Sequence, residues 1–501
     1  MHRTFRQLIL FLLEKNKQLL TGHDLLCTLI EVYRHFSVNN LFRDEHKGDR
    51  MEFIINGLNE ERFGRGIQLI ANLFFEDPVI SFEDGGAGSV PAVKVDFSIC
   101  EDDKVTVSGV LTTDGGKRYT ASFSKELVGN DRKEHLNGMK KAVSACFLSM
   151  LQEWTGIIQP WGILTGIRPT KLLHKFLRQG MSREKAHEKL KQEYFITDKK
   201  IQLMQKIVDN QFAAIPDLYD LQKEVSIYIG IPFCPTKCAY CTFPAYAING
   251  RQGSVSAFLE GLHIEMEKIG QWLKENNIPI TTIYFGGGTP TSITAEEMDS
   301  LYEKMHSSFP YIEKVREITV EAGRPDTITR EKLDVLKKWN INRISINPQS
   351  YIQQTLKAIG RHHTVEETVE KFHLAREAGM TNINMDLIIG LPGEGVEEFA
   401  HSLKETEKLM PESLTVHTLS FKKASEMTKN KEKYKVAGRE EIQEMMALAE
   451  KWMEKLNYTP YYLYRQKNIL GNLENVGYSR RNMESLYNII IMEEQQTIIG
   501  L

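Results

Sequence analysis

Three cysteines close together in the chain are the residues whose type and spacing indicate chemistry most directly. Cys234, Cys238 and Cys241 form a C-x₃-C-x₂-C pattern. Three thiolates on one loop can bind a [4Fe–4S] cluster and leave its fourth iron without a protein ligand. That iron can bind the amino and carboxylate groups of S-adenosylmethionine, so that one electron from the reduced cluster cleaves the sulfonium and releases a 5′-deoxyadenosyl radical. The spacing therefore predicts radical chemistry at this loop.

A zinc site and a set of buried core thiols are the alternatives for the same cysteines. A structural zinc ion needs four ligands, usually from two paired knuckles, and the sequence shows no second C-x₂-C and no ligand-spaced histidine pair nearby. Core thiols are not expected to gather in a loop that contains Pro235. The spacing therefore favours the cluster.

A glycine run follows the cysteines at the distance of about one strand and one helix. It comprises residues 286–288 and precedes Thr289 and Pro290. Glycine lets backbone amides approach a ligand where a side chain would obstruct it. Taken alone, such a run predicts only a turn. Its position in the unit after the cysteines favours a ligand-binding turn.

Carboxylates inside apolar segments are the next candidates. Glu321 and Asp386 each interrupt a strand-like apolar run. Burying a carboxylate is costly unless it finds hydrogen-bond donors, such as the ribose hydroxyls or the amino group of a bound nucleoside. The alternative is a buried ion pair. Arg361 can supply a cation nearby, and for His362 and His363 a solvated helix start is the favoured interpretation.

The elements that must position these residues are repeating strand and helix units. Beyond Glu224, short β-branched segments alternate with amphipathic helical ones. Such alternation is typical of parallel βα units. The predicted strands cover residues 226–233, 281–287, 317–323, 343–349, 382–390 and 414–420. They predict an α/β fold, an incomplete (βα)₆ TIM-like barrel, with a doubly wound open sheet as the rival topology; both place ligands at the carboxyl ends of the strands.

The remainder of the chain predicts flanking regions. Alternating patterns at 92–100, 104–110 and 119–123 indicate a small antiparallel sheet, and helical patterns follow over 136–221. We therefore expect four regions, listed in chain order: a helical leader over 1–50, an N-terminal α+β accessory domain over 51–222, the partial barrel over 223–425, and a C-terminal accessory region over 426–501.

Composition and charge limit the partners and the compartment. Lys plus Arg number 63 and Asp plus Glu 66, so the net charge of −3 provides no bulk basic field for nucleic acid. The apolar run at 8–13 is too short for a membrane span or a signal peptide. Only six cysteines occur, half of them clustered. This usage is typical of a reduced compartment and predicts a cytoplasmic protein.

Several segments together resemble a known family. The cysteine loop, residues 228–234, 284–291 and 385–393 resemble oxygen-independent coproporphyrinogen III oxidase-like radical SAM proteins. The segment 162–171 is similar to one in the N-terminal domain of the HemZ-type branch of this family. The resemblance covers about Met51 to Leu501.

The resemblance implies a (βα)₆-type fold and an oxidative decarboxylation in porphyrin and haem biosynthesis. The deoxyadenosyl radical would take a hydrogen from the β-carbon of a propionate of coproporphyrinogen III. Loss of carbon dioxide and one electron would then leave a vinyl group, and two propionates would react in turn to give protoporphyrinogen IX. The implied partners are the tetrapyrrole and an electron donor such as flavodoxin or ferredoxin.

The resemblance also implies the site residues. The three loop cysteines would bind the cluster, and no side chain would act as a general acid or base. Contacts to S-adenosylmethionine would come from Tyr228 and Tyr240 at its methionine and adenine parts, from Gly287, Gly288 and Thr289 at its amino end, and from Glu321, Gln349, Arg361 and Asp386 in the nucleoside pocket, with Thr418 a weaker candidate.

Three departures from the family pattern keep alternatives open. The proven oxidases carry a fourth cysteine where this chain has Phe243, as the family's haem-trafficking relatives do. A haem-binding carrier, or a radical SAM enzyme with another substrate, is therefore the alternative function. The leader over 1–50 matches nothing in the family, and the family usually continues beyond a segment like 497–501, so the C-terminal region is expected to be truncated and its substrate cover incomplete.

The tyrosine-rich segment near the C-terminus is a candidate for substrate contact. We expect Tyr461, Tyr462, Tyr464 and Arg465 to offer aromatic faces and one cation to a macrocycle with four propionates. The alternative is a surface strand with ordinary aromatic packing.

Overall fold

A computed structural model describes residues 51–82, 92–101, 104–126, 132–166, 168–243, 246–248, 254–422, 424–466 and 469–501. The predicted leader over 1–50 lies outside these residues. The chain divides into two compact units, the first with Met1–Thr165 and Gln192–Thr197, the second with Gly166–Lys191 and Asp198–Leu501. The predicted functional boundaries at 222/223 and 425/426 stay predictions.

The first unit is an α+β fold around one five-stranded sheet. Its elements are β1 (Glu52–Asn56), α1 (Glu60–Ala71), β2 (Val79–Phe82), β3 (Ala92–Glu101), β4 (Lys104–Thr112), β5 (Arg118–Glu126) and α2 (Arg132–Thr155). The strand order is β2-β1-β3-β4-β5. The antiparallel pairing of β3, β4 and β5 confirms the predicted sheet, and β1 adds to β3 in parallel. Apolar side chains of the sheet and both helices, such as Phe53, Val107 and Phe147, form its core.

Helices and a nine-stranded sheet make up most of the remaining chain. The helices are α3 (Thr170–Arg178), α4 (Arg183–Tyr194), α5 (Asp198–Ala214), α6 (Val255–Glu275), α7 (Ala295–Ser308), α8 (Arg330–Lys338), α9 (Gln353–Ala358), α10 (Val365–Glu377), α11 (Val396–Leu409), α12 (Glu426–Lys429), α13 (Arg439–Lys455) and α14 (Leu486–Glu493). The strands are β6 (Val225–Ile231), β7 (Phe233–Cys234), β8 (Tyr246–Ala247), β9 (Ile280–Gly287), β10 (Glu317–Val320), β11 (Arg343–Ser345), β12 (Ile383–Ile389), β13 (Ser413–Thr418), β14 (Thr459–Tyr464), β15 (Asn475–Ser479) and β16 (Thr497–Gly500).

The order of these strands decides between the two predicted topologies. Strands β6, β9, β10, β11, β12 and β13 are parallel and stand side by side in chain order. A doubly wound sheet reverses its order at a switch point, whereas successive βα units of a barrel do not. The winding is therefore that of the predicted partial barrel. Strands β15 and β14 extend it antiparallel at one edge, and β16 pairs in parallel with β6 at the other.

The sequence of each unit explains its local structure. Strand β9 is buried at every position except its last, as expected of a parallel strand covered on both faces. The following helices begin at side-chain caps: the Thr294 hydroxyl accepts from the Glu297 backbone N–H, and the Glu297 carboxylate accepts from that of Thr294. Thr329 and Thr364 cap α8 and α10 in the same way. Each helix thus starts at a defined residue, which fixes the loops at the carboxyl ends of the strands.

None of the helices within the described ranges has the length and apolar character needed to cross a bilayer.

Candidate functional site

The cysteine loop is held against the barrel by backbone hydrogen bonds. The Ala239 N–H donates to the Ile359 carbonyl at 2.9 Å, and the Cys241 N–H donates to the Cys238 carbonyl at 3.1 Å. All three loop cysteines are free thiols and half-buried. The loop thus presents three thiols from one short turn that opens at the end of β7.

Polar groups from other units surround these thiols. The Thr289 hydroxyl lies 3.4 Å from the Cys234 sulfur, and Nη1 of Arg324 lies 3.9 Å from the Cys238 sulfur. The Phe243 N–H donates to the Cys241 sulfur at 3.4 Å. Donors to cysteine sulfurs stabilise the negative charge of an iron–sulfur cluster and tune its potential. These donors fit a [4Fe–4S] cluster on the loop.

The electrostatics of Cys234 follow from the same neighbours. Burial raises the pKa of the Cys234 thiol, the hydrogen bond from Thr289 opposes that rise, the two neighbouring thiols add to it, and the charge of Arg324 lowers it. Coordination to the iron ions of a bound cluster would overcome the cost of ionising the buried Cys234 thiol, because a coordinating thiol is deprotonated.

The alternative of a mononuclear metal site gains no support from the geometry. In the part of the chain that the structure describes, no three His, Cys, Asp or Glu side chains converge on the position of one metal ion. The thiols of a cubic cluster each bind a different iron, so they need not converge on one point.

The glycine turn packs directly against the start of the cysteine loop. Gly287 has a φ of +102°, a left-handed value that side chains rarely adopt. A Cβ atom on Gly288 would lie 2.5 Å from the carbonyl oxygen of Phe233. The Thr289 N–H donates to that same oxygen at 2.7 Å. The glycines are therefore needed for close approach of two backbones, which brings the turn next to the thiols.

A second group of site residues lines a cavity of about 160 Å³ inside the barrel. Its walls include Tyr284, Glu321, Arg343, Asn384, Asp386, Thr415, His417, Tyr462 and Tyr464. The Tyr284 hydroxyl donates to the Glu321 carboxylate. Burial raises the pKa of Glu321 to about 7, the hydrogen bond from Tyr284 opposes the rise, and the charge of Asp386 adds to it. Glu321 is therefore a carboxyl group that titrates near neutral pH.

Asp386 has the opposite electrostatic balance. Burial alone would raise the pKa of Asp386, but the charge of His417 and hydrogen bonds from His417 and Asn384 lower it below its ordinary value. The Asp386 carboxylate lies 3.4 Å from Nε2 of His417 and accepts from the Asn384 amide at 2.8 Å. The His417 Nδ1 atom in turn lies 3.2 Å from the Tyr464 hydroxyl. Asp386 is thus held ionised in the same cavity in which burial raises the pKa of the Glu321 carboxyl group.

Three buried polar side chains on neighbouring units retain free hydrogen-bonding capacity. Oδ1 of Asn347, Oε1 of Gln349 and Nε of Arg361 are buried without a hydrogen-bond partner among the described residues. Gln349 also has a left-handed φ of +66°. Buried polar atoms are normally paired, so unpaired ones at strand ends mark a place for a polar ligand. They fit the predicted nucleoside pocket.

The remaining predicted contacts lie in different surroundings. Tyr240 packs with the buried cluster that includes Leu356 and Leu391, and burial and the nearby Cys238 raise its pKa. The Thr418 hydroxyl donates its only hydrogen to the Glu474 carbonyl at 3.0 Å. The Thr418 hydroxyl can therefore only accept a hydrogen bond from a ligand.

An open pocket of about 630 Å³ has Phe243, two residues after Cys241, in its lining. Its lining residues are Arg168, Tyr228, Phe243, Tyr487, Ile491, Glu494, Gln496, Ile498 and Gly500. The aromatic residues Tyr228, Tyr284 and Tyr487 stack on one another, with Tyr284 and Tyr487 ring centroids 4.3 Å apart. The Phe243 ring is close to Gly287, since a Cβ there would lie 3.3 Å from that ring. Phe243 therefore connects the pocket with Cys241, whose sulfur accepts from its backbone N–H, and with the glycine turn.

The expectations for Tyr461, Arg465 and His363 are wrong. Tyr461 and Arg465 are buried and do not face a ligand pocket among the described residues. Tyr461 packs with Ile489 and Ile490, and Arg465 donates to Asn472. Only Tyr462 and Tyr464 of that patch line a cavity. His363 is not at a solvated helix start but is buried, and burial lowers its pKa to about 3.

The sequence reasoning missed Tyr284, His417 and Arg324 as site residues. Tyr284 lies in the motif before the glycine run, and Arg324 follows Glu321 by three residues, so proximity to known motifs was a usable signal for both. His417 could be found only from strand pairing. Strand β13 places His417 opposite Ile388 of β12 and so brings it near Asp386 in the same strand, although these residues are far apart in the sequence.

A family model and several known proteins are similar to this chain. A family model described as the radical SAM superfamily matches residues 228–406. The oxygen-independent coproporphyrinogen-III oxidase-like protein HemZ of Bacillus subtilis is 64% identical over 457 residues, which cover 90% of this chain and 89% of that protein. The haem chaperone HemW of the same organism is 36% identical over 194 residues, 39% of this chain and half of that protein.

A solved structure is also similar. Coproporphyrinogen III oxidase (HemN) from Escherichia coli, a radical SAM enzyme, aligns with a TM-score of 0.45 and 19% identity over 58% of this chain and 65% of that chain. The cofactors of this chain are those of the radical SAM superfamily, a [4Fe–4S] cluster and S-adenosylmethionine. With high identity over nearly its whole length, the chain belongs to the radical SAM superfamily and, within it, to the oxygen-independent coproporphyrinogen-III oxidase-like family of the HemZ type.

Proposed function

We propose that this protein converts propionates of coproporphyrinogen III into vinyl groups by oxidative decarboxylation, which yields protoporphyrinogen IX. The observation that carries the proposal is the open pocket beside the cysteine loop. Its volume of about 630 Å³ and its aromatic and aliphatic walls suit a large ring system, and Arg168 at its edge suits a carboxylate.

The loop cysteines are the proposed cluster ligands, because all three are free, half-buried and approached by donors from Thr289, Arg324 and the backbone of Phe243. When bound, the cluster and S-adenosylmethionine supply a 5′-deoxyadenosyl radical that abstracts hydrogen. The residues of the chain would bind and orient the reactants.

The nucleoside part of S-adenosylmethionine has two sets of candidate contacts. Glu321 and Asp386 in the barrel cavity can accept hydrogen bonds from ribose hydroxyls. The unpaired atoms of Gln349 and Arg361 can meet further polar atoms of the cofactor. Tyr228, Tyr240 and the turn 287–289 complete the proposed set, with Thr418 as an acceptor only.

The proposed reaction removes two electrons from each propionate. The propionate loses one hydrogen atom from its β-carbon to 5′-deoxyadenosine and one electron to an acceptor, and the bond to its carboxylate breaks to release carbon dioxide. S-adenosylmethionine would take up one electron from a donor such as flavodoxin or ferredoxin and, with the hydrogen atom from the substrate, would give methionine and 5′-deoxyadenosine. Each propionate is thereby oxidised by two electrons. A reduced, cytoplasmic compartment suits such a cluster.

A haem carrier is the second candidate, and Phe243 favours it. This residue occupies the position where the proven oxidases carry a fourth cysteine, its side chain is 38% exposed, and it lines the open pocket. An aromatic ring there can stack on a bound macrocycle without taking part in redox chemistry. The haem chaperone HemW among the relatives supports the same alternative.

One experiment discriminates between the candidates. Reconstituted, reduced protein is incubated anaerobically with S-adenosylmethionine and coproporphyrinogen III, and the tetrapyrroles are analysed by mass spectrometry after oxidation. The proposal expects products lighter by one and two formic acid equivalents, formed with 5′-deoxyadenosine. Stoichiometric haem binding without such products would favour the carrier instead.

A further inference from the structure

The edge of the open pocket carries two cations that share one carboxylate. Arg168 Nη1 and Lys171 Nζ each form an ion pair with a different oxygen of Glu494. The exposed fraction is 24% for the Arg168 side chain, 36% for that of Lys171 and 52% for that of Glu494. Arg168 and Glu494 both line the pocket, next to Gln496 and Ile498. The group is thus within reach of a ligand in the pocket.

The position of Glu494 is unfavourable for its backbone and for its charge. It follows α14 directly with a left-handed φ of +49°, a position that glycine or asparagine usually occupies at helix ends. A carboxylate at the C-terminal end of a helix also meets the negative end of the helix dipole. The two ion pairs are the contacts that offset these costs.

The neighbouring carboxylate cannot replace Glu494 in this role. Glu493 is fully buried, and one of its oxygens accepts from the Thr170 hydroxyl at 2.7 Å and from the Gln211 amide at 2.8 Å. Burial lowers the pKa of Lys171, the charge of Arg168 lowers it further, and Glu493 opposes the change. The carboxylate that both cations contact is therefore the half-exposed Glu494 and not the buried Glu493.

We infer that Arg168 and Lys171 form a carboxylate receptor at the pocket edge, and that a propionate of the bound tetrapyrrole displaces Glu494 from it. This inference rests on the proposed function, because it takes the occupant of the pocket to be a macrocycle with propionates. The ring would lie against Tyr228, Phe243 and Tyr487, which face the same pocket. The guanidinium of Arg168 can accept the propionate in a two-point contact. Glu494 then acts as an internal competitor that keeps the receptor charged and in place.

The test is a fluorescence titration of the full-length, cluster-reconstituted protein with coproporphyrin III, which bears the same four propionates. No reductant is added, so no turnover occurs. Glu494→Gln removes the competitor and should tighten binding roughly two- to fivefold, the range of an exposed ion pair. Arg168→Gln removes the main donor and should weaken binding roughly tenfold. In the double variant, the gain from Glu494→Gln should largely disappear, because its cause is the release of Arg168.

Matched controls change the same charges elsewhere. Glu370→Gln on α10 and Arg330→Gln on α8 alter exposed ion pairs with Lys371 and Asp334, and neither residue lines the pocket. Both controls should bind coproporphyrin III like the wild type. If Arg168→Gln fails to fold, as judged by thermal unfolding and the cluster spectrum, Arg168→Lys replaces it and should weaken binding roughly threefold.

The outcomes separate this inference from the proposed function. Weaker binding in Glu494→Gln would show that Glu494 orders the cations and does not compete, which overturns the inference. Unchanged binding in Arg168→Gln and its replacement would overturn it as well, while normal affinity of the wild type would leave the proposed substrate intact. If the wild type does not bind coproporphyrin III, the proposed substrate is wrong and the inference falls with it.

Discussion

Replacing Glu321 with glutamine should remove a pH dependence from the binding of S-adenosylmethionine. The Glu321 carboxyl group has its pKa raised to about 7, first by burial, while Tyr284 opposes and Asp386 adds to the rise. Below this pKa the group is mainly protonated, and above it the group is a carboxylate. A carboxylate accepts hydrogen bonds from ribose hydroxyls more strongly than the neutral acid does, and it also attracts the cationic sulfonium.

The magnitude follows from the ionised fraction. With a pKa of about 7, roughly one tenth of Glu321 is ionised at pH 6 and roughly nine tenths at pH 8. If only the ionised form binds well, the affinity of the wild type should rise about ninefold between these values. Glu321→Gln is a neutral isostere, so its affinity should be low throughout and should lack this rise.

Asp386→Asn is the matched control for this experiment. The charge of His417 and its hydrogen bonds keep the pKa of Asp386 below its ordinary value in spite of burial. Asp386 is therefore ionised at both pH values, and its loss should weaken binding by about one to two decades. Because the charge of Asp386 raises the pKa of Glu321, the increase of affinity with pH should remain in this variant but move to lower pH.

The assay is isothermal titration calorimetry of anaerobically reconstituted protein at pH 6, 7 and 8. Titration of the ligand's own groups affects all three proteins and cancels in the ratio of wild type to variant. An equal pH dependence in wild type and Glu321→Gln would refute the assignment of Glu321 as the titrating contact.

Three further perturbations have direct readouts. Changing any one of the loop cysteines to serine should abolish cluster incorporation, measured by iron content and by the absorption of the brown protein, whereas serine at the remaining cysteines should leave it intact; air should bleach the wild-type cluster within hours. Gly288→Ala should lower cluster content or cofactor affinity, because its Cβ would lie 2.5 Å from the Phe233 carbonyl oxygen, whereas Gly261→Ala, with open space around its Cβ, should match the wild type in both measurements. Lys200→Met should lower the free energy of unfolding by about 3–5 kcal/mol, because it removes the buried cation from its ion pair with Glu474; a loss below about 1 kcal/mol in urea unfolding would contradict that reason.

The barrel was predictable because its signals are local. Each central strand is a short β-branched run buried on both faces, and the helices α7, α8 and α10 begin at hydroxyl caps. The three cysteines are within eight residues of one another, so their chemistry could be inferred before any fold was known. Glu321 and Asp386 were visible as carboxylates in apolar runs, and the structure places both in one cavity.

Contacts between distant segments were not predictable in the same way. Strand β16 has only four residues and pairs with β6, more than 260 positions earlier in the chain. His417 meets Asp386 through strand pairing, which no local pattern shows. In β14 Tyr462 and Tyr464 line the cavity, whereas Tyr461 is fully buried in the apolar cluster that all three tyrosines share. The residue types of the segment do not distinguish these surroundings.

The pairing of Arg168 and Lys171 with Glu494 also escaped the sequence. More than 320 residues separate the partners. The segment that contains Arg168 was noted only as a resemblance, and its physical meaning emerged from its place at the pocket.

The most direct test of the proposed function uses coproporphyrinogen III labelled with deuterium at the β-carbons of its propionates. Reconstituted protein, S-adenosylmethionine and a reductant are incubated with this substrate, and the 5′-deoxyadenosine is analysed by mass spectrometry. We expect 5′-deoxyadenosine with one deuterium, formed together with vinyl product. Deoxyadenosine that carries no deuterium, or deuterium transfer without any vinyl group, would contradict the proposed decarboxylation.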